Sequence, residues 1–187
     1  MVRPWPELRR ETLTEFKIFH VEKVRSRNPR TGGELDFFVL DTWDWVNVIA
    51  LTEAGRLVCI RQFRHGPRTD TLEIPGGAVD PGEDPLAAGL RELREETGYA
   101  AEGGRLLGAV NPNPAFHTNR CSTVLATGCR RVGELELDPG EDIEVCELEV
   151  PAFRDAIRRG EVDHALVLAA FLLAGLDPEL GPLFAAG

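Results

Sequence analysis

Three carboxylates, Glu92, Glu95 and Glu96, fall within five residues of one another, with Arg91 beside them and Glu83 a short distance upstream. A Pro75-Gly76-Gly77 turn precedes the group. Like charges three or four apart on a helix repel by a few tenths of a kcal/mol per pair. A solvated acidic face would tolerate that cost; a hard divalent cation would reverse its sign. Mg²⁺ takes oxygen ligands, keeps several waters and shares them with substrate phosphates. Arg91 can pair with one or two of the carboxylates and fix their rotamers, leaving the others free for metal. Gly76 and Gly77 allow close backbone approach to a ligand. The chemistry these residues could do is metal-assisted attack on a phosphate ester or anhydride.

A helix over 84–97 must carry the cluster. Asp84 can cap it, Pro85 suits its first turn and Gly98 its C-terminal cap. Leu86, Leu90, Leu93 and Thr97 follow helical spacing and read as its buried stripe, with the carboxylates pointing away from it. Before it, Trp45–Leu51 and Leu57–Phe63 read as a hairpin of strands joined at Glu53-Ala54-Gly55, and Leu72–Ile74 as a short strand entering the Pro-Gly-Gly turn. After it come strands over 105–110, 121–126 and 143–150, then helices over 151–160 and 163–174. Residues 1–42 read as a strand pair, Phe16–Val24 and Phe37–Leu40, and residues 43–187 as the main domain. Strands interrupted by one helix and closed by two more predict an α/β fold with a mixed sheet and helices on its faces.

The net charge of −10 argues against binding nucleic acid or an anionic membrane. Lys17 and Lys23 are the only lysines, so Arg supplies almost all positive charge. Cys59, Cys121, Cys129 and Cys146 form no Cys-x-x-Cys pair and read as reduced, partly buried thiols of a cytoplasmic protein. The longest apolar run, Ala165–Leu176, is too short to span a bilayer. His20, His65 and His164 have no evident partner and are expected to be structural. Trp43 and Trp45 are expected in core or subunit contacts.

The stretch resembles the Nudix hydrolase signature at nine defined positions: Gly77, Glu83, Arg91-Glu92-Leu93, Glu95-Glu96 and Gly98-Tyr99. Tyr99 is a mild departure, because the family more often has an aliphatic residue there. The resemblance implies an α/β/α sandwich that hydrolyses the diphosphate of a nucleoside diphosphate linked to another group, with Mg²⁺, or Mn²⁺ in its place, as cofactor. It implies Glu92 and Glu96 as principal metal ligands, with Glu95 a further ligand or a participant in proton transfer. The carbonyl of Gly76 would complete the shell, and Glu83 and Arg91 would organise it.

Beyond the signature, three segments are similar to the ADP-ribose pyrophosphatases of this family. Pro114 follows Tyr99 by fifteen residues, Arg61-Gln62-Phe63-Arg64 closes the strand before the box, and Gly140-Glu141-Asp142-Ile143 matches a Glu-Asp-Ile loop. The resemblance implies that Arg64 contacts a phosphate or ribose, that Glu73 accepts from adenine or ribose or fixes a partner subunit, and that Glu141 is an added metal ligand or the base. The run Asn111–Arg120 departs from the usual Ser-Pro-Gly loop, and His117, Asn119 and Arg120 could line the sugar side. The implied substrate is ADP-ribose or a similar nucleoside diphosphate sugar, cleaved for ADP-ribose to AMP and ribose 5-phosphate. FAD, dinucleotides and GDP- or UDP-sugars remain alternatives. A non-catalytic nucleotide-sugar sensor is disfavoured, because all the box glutamates are present. An N-terminal strand pair packing on a second subunit, as in this group, implies a homodimer.

Overall fold

A computed structural model describes residues 1–184. The chain divides into two compact units, Met1–Trp43 with Asn111–Arg120, and Asp44–Val110 with the chain from Cys121 onward.

The first unit is a three-stranded antiparallel sheet, β1 (Glu7–Glu15), β2 (Phe19–Arg27) and β3 (Glu34–Thr42), in that order. Two strands were expected. The extra one, β1, is almost wholly exposed and rich in charge, so neither hydrophobic alternation nor an apolar run marks it. Its Arg10 and Glu11 reach Glu22 and Lys23 on β2, so cross-strand charge pairs accompany the pairing. The 111–120 segment returns to β3: Leu40 N–H donates to the Phe116 carbonyl at 2.7 Å, and Asn119 Nδ2 donates to the Trp43 carbonyl at 2.9 Å.

The second unit is a mixed sheet of eight strands. β4 (Trp45–Thr52) lies at its centre, parallel to β10 (Cys121–Arg131). On its other side β4 meets β5 (Arg56–Arg64) at Leu51↔Leu57. Beyond that point the two strands take different neighbours. β5 pairs with β6 (Thr69–Glu73), and β4 pairs with β7 (Gly76–Ala78). β11 (Ile143–Glu149) borders β5, while β8 (Tyr99–Ala100) and β9 (Gly103–Val110) pair with β10. The splay between β4 and β5 opens the sheet where the box begins. The segment read as a Pro-Gly-Gly turn is in part strand β7, because Gly76 and Gly77 pair with Asn47 and Val46.

Helices cover both faces. On one, α1 (Pro85–Thr97) packs Ala88 and Leu93 against Val46, Val48, Ala50, Val58 and Val124. On the other, α2 (Val150–Arg158), α3 (Ala165–Leu176) and α4 (Gly181–Phe184) bury Phe153, Phe171 and Phe184 over Ile49, Leu57 and Leu125. This is the α/β/α sandwich anticipated from the sequence. Asp84 caps α1 by accepting from Ala87 N–H, and Gly98 ends it at φ 72°, donating to the Arg94 carbonyl at 2.8 Å. A Cβ on Gly98 would lie 2.3 Å from the Gly133 carbonyl oxygen. Tyr99 suits its place because its hydroxyl donates to Glu147 on β11 at 2.7 Å while its ring packs on the core beneath α1. No helix among the described residues is long and apolar enough to cross a membrane.

The face that α1 buries keeps Leu93 and Thr97 of the expected stripe but not Leu86 and Leu90, and it takes in Glu92 and Glu96, which were expected to point away from it. Leu86 and Leu90 are half-buried, whereas Ala88, Gly89, Glu92, Leu93, Glu96 and Thr97 are buried. Small residues bring the helix close to the sheet and carry Glu92 and Glu96 inward with it. Gly89 sets that approach: a Cβ there would stand 2.9 Å from Val124 Cγ2 and 3.1 Å from Val46 Cγ2, on β-branched side chains with little rotamer freedom. Gly89→Ala therefore gains about 1 kcal/mol of helix propensity but overpacks the interface at a cost of about 1–3 kcal/mol. Chemical denaturation should show net destabilisation; an increased midpoint would mean that the helix does not sit this close to the sheet.

Candidate active site

The box residues are positioned by the β7 edge, the last two turns of α1 and the loop that leads from β7 into the helix. Arg91 is their anchor. Its guanidinium forks onto Glu83 (Nε–Oε1 3.1 Å, Nη2–Oε2 2.9 Å) and donates through Nη1 to Glu92 at 2.8 Å and Glu95 at 2.9 Å. Nη2 also reaches the Ala78 carbonyl at 3.1 Å, tying the helix to β7. Glu83 in turn accepts from Asp80 N–H, closing the loop on itself. The Arg91 guanidinium holds the Glu83 carboxyl below the usual carboxylate range. One cation thus orients three of the four box glutamates.

Glu96 is held differently. It accepts from Gly76 N–H at 2.8 Å and is 3% exposed. Burial pushes its carboxyl up to about 8; the Gly76 hydrogen bond opposes that shift, and the charges of Glu92 and Glu141 add to it. Glu92 is also raised, chiefly by burial, although Arg91 opposes the shift. Carboxylates so placed are short of positive charge. Gly77 makes room for Glu92, since a Cβ there would lie 2.6 Å from its carboxylate. A Cβ on Gly76 would stand 2.2 Å from the Val46 carbonyl oxygen and 2.9 Å from Asn47 Oδ1.

These observations fit a divalent cation. The available donors are oxygens, Glu92 shares its one counter-charge, Arg91, with Glu83 and Glu95 while Glu96 is paired only with a backbone N–H, and the glycines leave the backbone approachable. Glu92 and Glu96, with Glu95, Glu141 and the Gly76 carbonyl, could hold it. Among the described residues no three acidic, His or Cys side chains are gathered closely enough to form a metal cage. Arg91 and Gly76 hold Glu92 and Glu96 to different partners, so protein ligands would be only part of the shell.

Glu141 lies in the Asp138–Glu141 turn, where its Oε2 accepts from Asp138 N–H at 2.9 Å, and its charge is felt by Glu92, Glu96 and Arg64. Arg64 and Glu73 meet each other. Arg64 Nε and Nη2 fork onto the Glu73 oxygens at 2.8 and 2.7 Å, and Thr71 Oγ1 adds a bond at 2.6 Å. Burial would raise the Glu73 carboxyl, but the Arg64 and Thr71 bonds outweigh it and hold it below its ordinary value. Glu73 is thereby occupied as a support for Arg64, a pairing the sequence reading did not anticipate. Pro114 stands in the other unit, in a turn where Asn113 accepts from the N–H groups of Phe116 and His117.

Beside the box lies a cleft of about 230 Å³ lined by Trp45 and Asn47 from β4, Arg64, Gly76–Ala78, and His164 and Leu166 at the start of α3. Sequence reasoning missed Asn47 and treated His164 as structural and Trp45 as a core or subunit contact. Only the topology brings β4 and α3 to the same opening. The four cysteines are free thiols, three of them buried, and Cys59 faces Cys146 across β5 and β11.

A family model for the NUDIX domain matches residues 42–171. An ADP-ribose pyrophosphatase of Mycobacterium tuberculosis is 30% identical over 164 residues, covering 87% of this chain and 79% of that protein. One from Bacillus subtilis is 36% identical over 121 residues, covering 64% of this chain and 65% of that protein. The crystal structure of an ADP compounds hydrolase superposes with a TM-score of 0.82 at 23% identity, covering 92% of this chain and 93% of that one, which establishes likeness of fold. The signature residues, the fold and the family match agree: the chain belongs to the NUDIX family of hydrolases.

Proposed function

We propose that this chain hydrolyses the diphosphate of ADP-ribose or a related nucleoside diphosphate sugar, giving AMP and a sugar phosphate, in a Mg²⁺-dependent reaction. The observation that carries the reading is the pair of buried, under-neutralised carboxylates, Glu92 and Glu96, next to a cleft with an anchored Arg. The relatives named ADP-ribose pyrophosphatase support the choice of substrate.

Mg²⁺ suits the donors because it takes one or two carboxylates and completes its shell with waters and substrate phosphates. When bound, it would supply Lewis-acid polarisation of a diphosphate oxygen and lower the pKa of a coordinated water. The chain's own residues do the positioning. Glu92 and Glu96 hold the cation, and Arg91 keeps Glu92 and Glu95 in place. Arg64, made rigid by Glu73, offers positive charge at the cleft wall to a substrate phosphate or ribose. Glu95 and Glu141 are the candidates for accepting the water's proton. Pro114 would shape a loop on the substrate side.

We also read the protein as a homodimer. Leu13, Leu35, Phe37, Phe38 and Trp43 are exposed apolar side chains of the first unit, of a kind that a second subunit covers. Sedimentation should give twice the chain mass. A monomer would remove this part of the reading. The free thiols and the net charge of −10 fit a cytoplasmic protein that binds neither nucleic acid nor membrane.

The reading is tested with a panel of nucleoside diphosphate esters and Mg²⁺, read as phosphate released after phosphatase coupling. ADP-ribose or another ADP-sugar should give the highest kcat/KM; preference for FAD, a dinucleotide or a GDP- or UDP-sugar would replace the substrate and keep the chemistry. Glu96→Gln keeps an acceptor for Gly76 N–H but loses the ligand charge. Turnover should fall by on the order of 100-fold or more, while the thermal midpoint of the metal-free protein holds or rises. Unchanged turnover would reject the metal assignment.

Arg64→Ala should raise KM more than it lowers kcat, and it leaves Glu73 buried without its partner. The expected cost is about 1–3 kcal/mol, with partial exposure of Arg64 limiting it. In the parent, the Glu73 carboxyl is depressed, so its stabilisation is present above pH 4.5 and is lost as pH falls through the folded value. Without Arg64, burial is opposed only by the Thr71 bond and the charge of His164, and the carboxyl rises, so this site's contribution should instead fall as pH increases above 4.5. Arg64→Ala with Glu73→Gln should remove the new pH dependence. A parallel pH profile for parent and variant would show that the fork contributes nothing.

A further inference from the structure

Two buried polar atoms of residues that line the cleft are not used by the metal and phosphate chemistry. Asn47 Nδ2 and His164 Nδ1 are both buried and have no hydrogen-bond partner. Both residues line the same cleft of about 230 Å³. They come from distant parts of the chain: Asn47 from β4, and His164 from the N-terminal cap of α3, where its side chain makes no capping bond. A fold that leaves one such atom unsatisfied needs a reason, and two at one opening point to a ligand.

The pair has a definite chemical sense. Asn47 Nδ2 can only donate, and its Oδ1 lies against Gly76, where a Cβ would come within 2.9 Å. His164 Nδ1 accepts whenever the ring proton is on Nε2. One donor and one acceptor suit a hydroxyl, which accepts from the first and donates to the second through a single oxygen. A phosphate oxygen would leave the imidazole acceptor unmatched. An adenine edge would present its acceptor and donor at two separate atoms of a flat ring. The cleft wall also includes Gly76 and Gly77, which abut Glu96 and Glu92. A group recognised there is close to the diphosphate. The sugar ester-linked to the distal phosphate satisfies that, whereas the base is one ribose further away.

We propose that Asn47 and His164 form a subsite for a hydroxyl of the sugar on the far side of the scissile diphosphate. Trp45 supplies an apolar wall beside it, and the Arg64–Glu73 fork a fixed polar one. The subsite rests on the nucleoside diphosphate sugar reading and adds the atoms that select the sugar. These two are positioning residues: they act by binding and take no part in proton transfer.

The test compares ADP-ribose with an adenosine diphosphate ester of a plain short-chain alcohol, which has the same diphosphate and no second sugar. His164→Ala and Asn47→Ala should each lower the preference for ADP-ribose over the alkyl ester, as the ratio of kcat/KM, by about 5–50-fold, mainly through KM. The double variant should lose little more than either single one, because both contact one oxygen. His164→Asn, whose Oδ1 can stand near the Nδ1 position, should restore most of the ratio. An equal loss on both esters, or no loss on either, overturns the subsite. A loss that appears instead when adenine is replaced by hypoxanthine overturns it in favour of base recognition. Calorimetric binding of ADP-ribose to the metal-free protein gives a readout independent of turnover, and His164→Ala should weaken it by a similar factor. Binding without cleavage would sink the proposed activity and leave that comparison to decide the subsite. A wild type that neither binds nor cleaves overturns both.

Discussion

The site depends on one guanidinium. Arg91 bonds Glu83, Glu92, Glu95 and the Ala78 carbonyl, so a single side chain ties the box loop, the box helix and the β7 edge into one unit. Its charge permits so many carboxylates to crowd together, but it does not satisfy them all. Glu96 lies beyond its reach and is buried with only a backbone N–H for a partner. That imbalance is the physical content of the site: positive charge sufficient to organise the carboxylates and insufficient to neutralise them.

The packing that produces this imbalance is ordinary. Ala88 and Gly89 let α1 press against Val46 and Val124, and the next turn of the same face is Glu92, Leu93 and Glu96. The apolar contact that buries Leu93 also sinks the two carboxylates. Stability and function therefore pull in opposite directions along one helix face. The sheet helps from the other side: β4 and β5 part after Leu51↔Leu57, and the opening becomes the cleft where Arg64, Asn47 and His164 meet.

Much of this was legible in the chain. The box is local in sequence, so spacing alone placed its residues on one helix with a capping Asp84 and a closing Gly98. The central strands were readable because Val48–Leu51 and Leu57–Ile60 are continuous apolar runs. The rest was hidden for physical reasons. β1 is exposed on both faces, so no periodicity marks it. β7 is written in Gly and Ala, which read as a turn until Val46 and Asn47 are placed beside them. Leucines outweigh Ala and Gly in a hydrophobic pattern, although close packing favoured the small residues. The Arg64–Glu73 fork follows from β5–β6 register, and the cleft from long-range topology, neither of which spacing records.

The central claim is that these carboxylates hold a divalent cation against a diphosphate. Manganese binding to the purified chain, followed by electron paramagnetic resonance and competed with magnesium, addresses it directly. The account predicts uptake that magnesium displaces and that tightens when a non-hydrolysable ADP-ribose analogue is present. A chain that takes up neither ion, with or without the analogue, would contradict it.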